Sequence, residues 1–245
     1  MIPYLRKEEI LSILKKNQIV KIAQICKLLP DVSESTIRRD LKEMNNENRI
    51  EFLSGGAVML VRENFDMPVS KKIELNNDKK DIIADLALKT INDNDTVFID
   101  SGTTCTFFAR KLENKPISIV TTNADLFSIP FKQATVIFTG GTYNPITSSL
   151  HGITTQNFLK QFYFSKSYLG TSGIDYTRGL TTPSIDEAET KKVVISNSEN
   201  VYILADSSKF GKVFSNVIQP AANCAIITDR YDEQIAERIK IISSM

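Results

Sequence analysis

A chain of 245 residues has room for one or two domains with sizeable buried cores. Its 42% hydrophobic and 24% charged residues exclude wholesale disorder, and no apolar run nears the roughly 20 residues that span a bilayer. The net charge of +1 is no signature of a nucleic-acid binder, and residues 1–58 (ten Lys/Arg, eight Asp/Glu) differ little from the remainder (20 and 21), so charge must be judged by position.

In chain order, residues 5–16 spell an amphipathic helix with Ile10, Leu11 and Leu14 inward. Residues 20–28 spell a second, with Ile22, Ala23, Ile25 and Cys26 apolar, stopped by Pro30-Asp31. A third helix follows Ser33, which stands where an N-cap belongs. Successive side chains about 100° apart put Ile37, Leu41 and Met44 on one face. The opposite face carries Ser35, Arg38, Arg39 and Lys42, all able to donate hydrogen bonds to phosphate oxygens or base edges. Residues 49–59 have β character broken by Gly55-Gly56, a hairpin or wing. Three helices plus a β-wing make a winged helix-turn-helix over residues 3–58, with its third helix built for DNA. Residues 59–78 include Pro68 and Asn76-Asn77-Asp78, lack periodicity, and read as a linker.

From residue 79 the pattern changes. A helical stretch at 79–91 precedes short apolar runs at 96–99, 117–120, 135–138, 167–169, 201–204 and 225–227. Helical candidates lie among them at 103–112, 155–162, 187–196 and 233–242. Strands alternating with helices predict an α/β domain over 79–245 with a mostly parallel sheet.

Ligands of such sheets bind beyond the carboxyl ends of the strands. Here those ends collect glycine and polar residues: Asp100-Ser101-Gly102-Thr103-Thr104, Thr121-Thr122-Asn123, Thr139-Gly140-Gly141, Gly170-Thr171-Ser172 and Asp206-Ser207-Ser208-Lys209. Gly102 to Thr104 offer free N–H groups at a helix start, and with Lys209 they suit a phosphate. Hydroxyl, amide and carboxylate groups suit sugar hydroxyls. The residues assigned to a polyol-phosphate pocket are Asp100, Ser101, Gly102, Thr103, Thr104, Thr122, Asn123, Gly140, Gly141, Gly170, Asp206 and Lys209.

In Val32-Ser33, Thr36-Ile37-Arg38-Arg39-Asp40-Leu41 and Gly55-Gly56-Ala57, the first domain resembles the DeoR-type winged helix-turn-helix. The second resembles the DeoR C-terminal sensor domain through Asp100 to Thr104, Thr122-Asn123, Gly140-Gly141, Gly170 to Asp175, Gly179 to Thr181 and Ala205 to Gly211. The resemblance covers essentially the whole chain in order. It implies a transcriptional regulator, usually a repressor of a sugar operon, that responds to a phosphorylated sugar, with a sensor fold similar to ribose-5-phosphate isomerase. It adds Ser33, Thr36, Gly55 and Gly56 to Ser35, Arg38, Arg39 and Lys42 as DNA-binding residues. Two departures stand at the wing: the family often has a basic residue or His where this chain has Leu53-Ser54, and often Gly in the preceding turn, where this chain has Asn46, Glu47 and Asn48.

The competing class is a sugar-phosphate isomerase with an accessory DNA-binding domain. The isomerase carries an acidic run at the loop where this chain has neutral Thr171 and Ser172, so catalysis is not expected. Glu187, Glu189, Lys191 and Lys192 read as a charged helix face, with remnants of isomerase chemistry as the alternative, and His151 as structural or exposed. Three scattered cysteines (Cys26, Cys105, Cys224) and one histidine speak against disulfides and a zinc site, and no cofactor is expected. The opening residues lack the order of a signal peptide, so the cytoplasm is the expected compartment. A lone reading module binds DNA weakly, so the expected partners are double-stranded operator DNA, a phosphorylated sugar and further copies of the chain, as a homodimer or homotetramer joined mainly through the second domain.

Overall fold

The computed structural model describes residues 2–17, 19–46, 49–53, 55–60, 68–218, 220 and 223–244, with only the backbone of 15 and 16. They fall into two compact units, Met1–Phe65 and Asp66–Met245.

The first unit runs α1 (Pro3–Asn17), β1 (Ile19–Lys21), α2 (Ile22–Leu28), α3 (Glu34–Asn46), β2 (Ile50–Leu53) and β3 (Ala57–Leu60). Its core joins Ile10 and Leu14 of α1, Ile22 and Ile25 of α2, and Ile37, Leu41 and Met44 of α3 with Ile50 and Val58 of the sheet. These are the positions that helical periodicity selects. The strands pair antiparallel in the order β1-β3-β2. β1 is a departure from the expected helix over 20–28. Ile19, Val20 and Lys21 extend against β3 with only Val20 buried, and three residues are too few for alternation to register in a sequence.

The second unit opens with α4 (Val69–Lys72) and α5 (Asn77–Leu88). Then follow β4 (Thr96–Ile99), α6 (Thr103–Arg110), β5 (Ser118–Thr121), β6 (Thr135–Phe138), the hairpin β7 (Thr142–Asn144) and β8 (Ser149–His151), and α7 (Ile153–Leu159). The chain continues with β9 (Phe164–Gly170), β10 (Gly173–Asp175), β11 (Gly179–Thr182), α8 (Ile185–Ser196), β12 (Ser198–Leu204), β13 (Asn216–Ile218), β14 (Cys224–Thr228), α9 (Glu233–Ala236) and β15 (Lys240–Ser243). Of the span read as a linker, 59 and 60 complete β3, 69–72 are helical and α5 already starts at Asn77. Residues 61–67 of that span lie outside the described residues.

Seven strands form one parallel sheet in the order β15-β14-β12-β9-β4-β5-β6. Alternate residues face opposite sides, so both faces need cover. Val97, Ile99 and Ile119 pack under α5 and α6, whose Ile83, Ala87, Phe108 and Ala109 are fully buried. Phe98, Val120 and Val201 face α7, α8 and α9 through Leu159, Ala188, Val194 and Ile235. The expected C-terminal helix over 233–242 stops at Ala236, and Lys240–Ser243 instead extend the sheet beside β14. Ile241 and Ile242 are β-branched and pack flat on the sheet, which outweighs their helical spacing.

The order carries a functional consequence. The sheet starts at β4, grows through β5 to β6, then resumes on the other side of β4 with β9 and runs outward. Successive connections diverge between the carboxyl ends of β4 and β9, which leaves a crevice between them, the usual ligand position in open α/β sheets.

Candidate functional site

Two surfaces concentrate the expected residues. In α3, Ser33 Oγ accepts from Thr36 N at 3.3 Å and caps the helix. The Ser33 hydroxyl also lies 3.0 Å from Ser35 Oγ and 2.8 Å from Thr36 Oγ1, which gathers three hydroxyls at the start of the helix. Because Ile37, Leu41 and Met44 are buried, Ser35, Arg38, Arg39 and Lys42 point outward and are exposed. Arg38 pairs with Glu34 at 2.7 Å one turn back, while Arg39 and Lys42 have no ion-pair partner among the described residues. Gly55 and Gly56 are exposed at the wing turn with φ +82° and +72°, values at which a side chain would be strained.

The sequence reading missed what holds this helix. Asp40, buried between Ile37 and Met44 on the inward stripe, accepts two hydrogen bonds from Arg6 of α1, the longer at 3.0 Å. A carboxylate on an apolar stripe was the available signal, since such a group needs a partner when it is buried.

The second surface is a cleft of about 570 Å³, counting the part open to solvent, at the β4–β9 divergence. Ser101, Gly102, Thr103 and Thr104 form one wall, Gly170, Thr171 and Ser172 another, and Lys209 closes a third side. Gly102 has φ +129° and precedes the free N–H groups of α6, with open space where a side chain would stand. That loop is a ready cradle for an anion.

Other expected residues support the cleft from behind. Asp100 is 2% exposed, and its Oδ2 accepts from Gly170 N at 2.9 Å and Lys191 Nζ at 2.5 Å. Asn123 is fully buried, donating to Asp100 O at 3.3 Å and Thr106 Oγ1 at 2.9 Å while accepting from Asp125 N at 3.0 Å. Thr122 is buried, and its carbonyl takes the N–H of Leu150. Gly140 and Gly141 lie outside the cleft; a Cβ on Gly141 would sit 2.2 Å from Thr155 Oγ1. Asp206 caps the short turn that carries Lys209, accepting from Ser208 N at 2.9 Å.

The charged face expected on α8 is corrected at two positions. Lys192 and Glu189 do pair at the surface, 2.8 Å apart. Lys191, however, is 4% exposed and lines the cleft, paired with Asp100. Burial works against its charge, but Asp100 and Glu187 outweigh that and hold the ammonium above the usual lysine range. Glu187 also lines the cleft and accepts from Thr182 Oγ1 at 2.8 Å. The signal was there: Lys191 falls on the stripe of Ala188, Val194 and Ile195. Cys105 and Leu204 also line the cleft, as do Val69, Lys72 and Thr147, which had no sequence signal. His151 is half-buried, with Nδ1 3.5 Å from Asp186.

Residues 6–63 match the DeoR-like helix-turn-helix domain and residues 75–230 match the DeoR C terminal sensor domain. The chain belongs to the DeoR family. The HTH-type transcriptional regulator GlpR of Haloferax volcanii is 32% identical, over 86% of this chain and 84% of its own length. The lactose phosphotransferase system repressor of Staphylococcus epidermidis is 31% identical, over 97% of this chain and 96% of its own. A ribose 5-phosphate isomerase from Methanocaldococcus jannaschii aligns over 56% of each chain at 18% identity, with a TM-score of 0.42. This DeoR-family chain is a transcriptional regulator with a DNA-binding helix-turn-helix domain and a sensor domain. No helix among its described residues is long and apolar enough to cross a membrane.

Proposed function

We propose that this DeoR-family regulator is a cytoplasmic repressor of a sugar-uptake or sugar-catabolism operon, and that a phosphorylated sugar in the cleft changes its hold on operator DNA. The observation that carries this reading is the cleft itself. The N-terminus of α6 and the ammonium of Lys209 offer an anion site, and the Glu187 carboxylate offers an acceptor for hydroxyls. On this reading Ser101 to Thr104 and Lys209 take the phosphate, while Asp100, Asn123 and Asp206 position the groups that touch it.

The protein acts as a receptor and not as an enzyme. Lys191 is neutralised by Asp100, and neutral Thr171 and Ser172 stand beside Glu187, so the cleft lacks the acid–base pair an isomerisation requires. On DNA, Ser35, Arg38, Arg39 and Lys42 enter the major groove, and Ser33, Thr36, Gly55 and Gly56 approach the backbone. A homodimer or homotetramer joined through the second unit pairs two such helices on a duplex.

The test is a thermal-shift screen of wild type and Gly102→Val against inorganic phosphate and a panel of pentose and hexose monophosphates. At least one sugar phosphate should stabilise wild type, and Gly102→Val should lose that response. A wild type indifferent to the whole panel overturns the sugar-phosphate reading, and an equal response in both proteins overturns the cradle.

A further inference from the structure

The cleft has a wall that the strand ends do not supply. Val69 and Lys72 of α4 line it, and α4 stands where the chain first enters the second unit, nine residues after β3 ends at Leu60. Three sets of contacts bind this segment to the rest of the cleft. Val69 N donates to Ile146 O at 2.9 Å, next to Thr147 on the same lining. Lys80 is 3% exposed, and its ammonium donates to Lys72 O and Leu75 O, each at 2.5 Å. That ammonium also lies 5.4 Å from the centre of the Phe107 ring, on the helix whose N-terminus forms the anion cradle. On the other side, Asn76 Nδ2 donates to Asp206 Oδ1 at 3.3 Å, and Lys79 Nζ donates to Ser207 Oγ at 2.8 Å. Both contacts fall on the turn that carries Lys209.

A buried ammonium spent on two main-chain carbonyls fixes the path of those carbonyls, because no water can replace it there. The entering chain is therefore held rigidly to the two elements that would grip an anion, α6 and the Lys209 turn. A displacement of either element on binding would carry residues 69–76 with it.

We propose that residues 69–80 form a coupling strap: Lys72 contacts the anionic group of the effector, and Lys80 and Asn76 make the entering chain follow the cradle. This rests on the sugar-phosphate reading above. The strap predicts how occupancy of the cleft reaches the operator, in either direction of control.

The test uses the full-length chain, the sugar monophosphate giving the largest thermal shift, and a duplex that the chain selects from a random library. The strap's quantity is the factor by which saturating sugar phosphate changes duplex affinity. At saturation this factor does not depend on how tightly the sugar phosphate binds. Lys72→Ala should weaken sugar-phosphate binding by about tenfold or more, the scale of a charge-assisted contact. Lys80→Met should bind the duplex as wild type does when no sugar phosphate is present, and should cut the factor by about fivefold or more. Asn76→Gly keeps the left-handed backbone (φ +54°) but deletes the amide, and should lower the factor in the same direction even if Lys80→Met fails to fold. A merely structural role would lower melting temperature and leave the factor unchanged. Wild-type sugar-phosphate affinity in Lys72→Ala, or a wild-type factor in both Asn76→Gly and a folded Lys80→Met, overturns the strap. A wild type that binds no sugar phosphate, or whose duplex affinity ignores it, overturns the underlying reading instead.

Discussion

Lys191 Nζ lies 2.5 Å from Asp100 Oδ2 and ties helix α8 to the end of β4 beneath the cleft. Both side chains are almost wholly inaccessible, so neither charge can be removed alone. Lys191→Met should destabilise the second unit by about 3–5 kcal/mol, as expected when one partner of a buried pair is lost. The double variant Lys191→Met/Asp100→Asn should recover a large part of that loss in urea unfolding. Additive losses in the two single variants would mean that the pair is not the source.

Asp40 and Arg6 play the corresponding part in the first unit. Asp40→Ala leaves the Arg6 guanidinium buried without its counter-ion and should cost about 3–5 kcal/mol. A unit of this size has little stability to lose. Duplex binding should therefore disappear while the thermal response to sugar phosphate persists, which gel shift and differential scanning fluorimetry read separately.

Arg39 and Lys42 are the exposed cations of α3 with no ion-pair partner among the described residues, whereas Arg38 is engaged by Glu34. If the first two meet phosphates, replacing either by alanine should weaken binding to all duplexes alike and reduce the slope of log K against log salt by about 1. A change confined to one base position would assign that residue to base reading instead. Glu34→Gln should strengthen binding by releasing Arg38, and a salt titration of the gel shift measures all three variants.

Acid sensitivity should centre on Asp95. Burial works against its charge, but Lys166 Nζ at 2.5 Å, the N–H of Asn92 and the Ser165 hydroxyl hold its carboxyl below the usual carboxylate range. A folded pKa below the unfolded one contributes stability above the unfolded value, and that contribution is lost as pH falls through the folded value. Asp95→Asn should therefore cost about 2 kcal/mol at neutral pH, and the gap from wild type should narrow as pH falls below about 3.9. Urea unfolding at pH 7 and pH 3 checks both ends; a gap independent of pH would remove the charge from the explanation.

Legibility in the sequence followed how local each cause was. The reading helix was plain because its cap, its buried stripe and its cationic face all lie within Ser33 to Met44. Six strands of the large sheet and the loop at Gly102 were likewise marked by short apolar runs ending in glycine and hydroxyl residues. Lys191 was misread because charge was weighed before stripe position, and only the fold reveals that Asp100 waits opposite. Lys72 could not be found at all, since its place in the cleft depends on where α4 packs. Asn123, Gly140 and Gly141 were assigned by chemical type; in the fold the Asn123 amide donates to Thr106, and a side chain at Gly141 would meet Thr155.

The pairing of β4 with β9 sets a timetable for synthesis. Phe98 lies beside Ser167, and the Lys209 turn comes later still, so the receptor cannot close until most of the polypeptide has left the ribosome. The helix-turn-helix unit is made of residues 1–65, which are synthesised far earlier. Termination between those two points would leave the helix-turn-helix residues without a complete cleft.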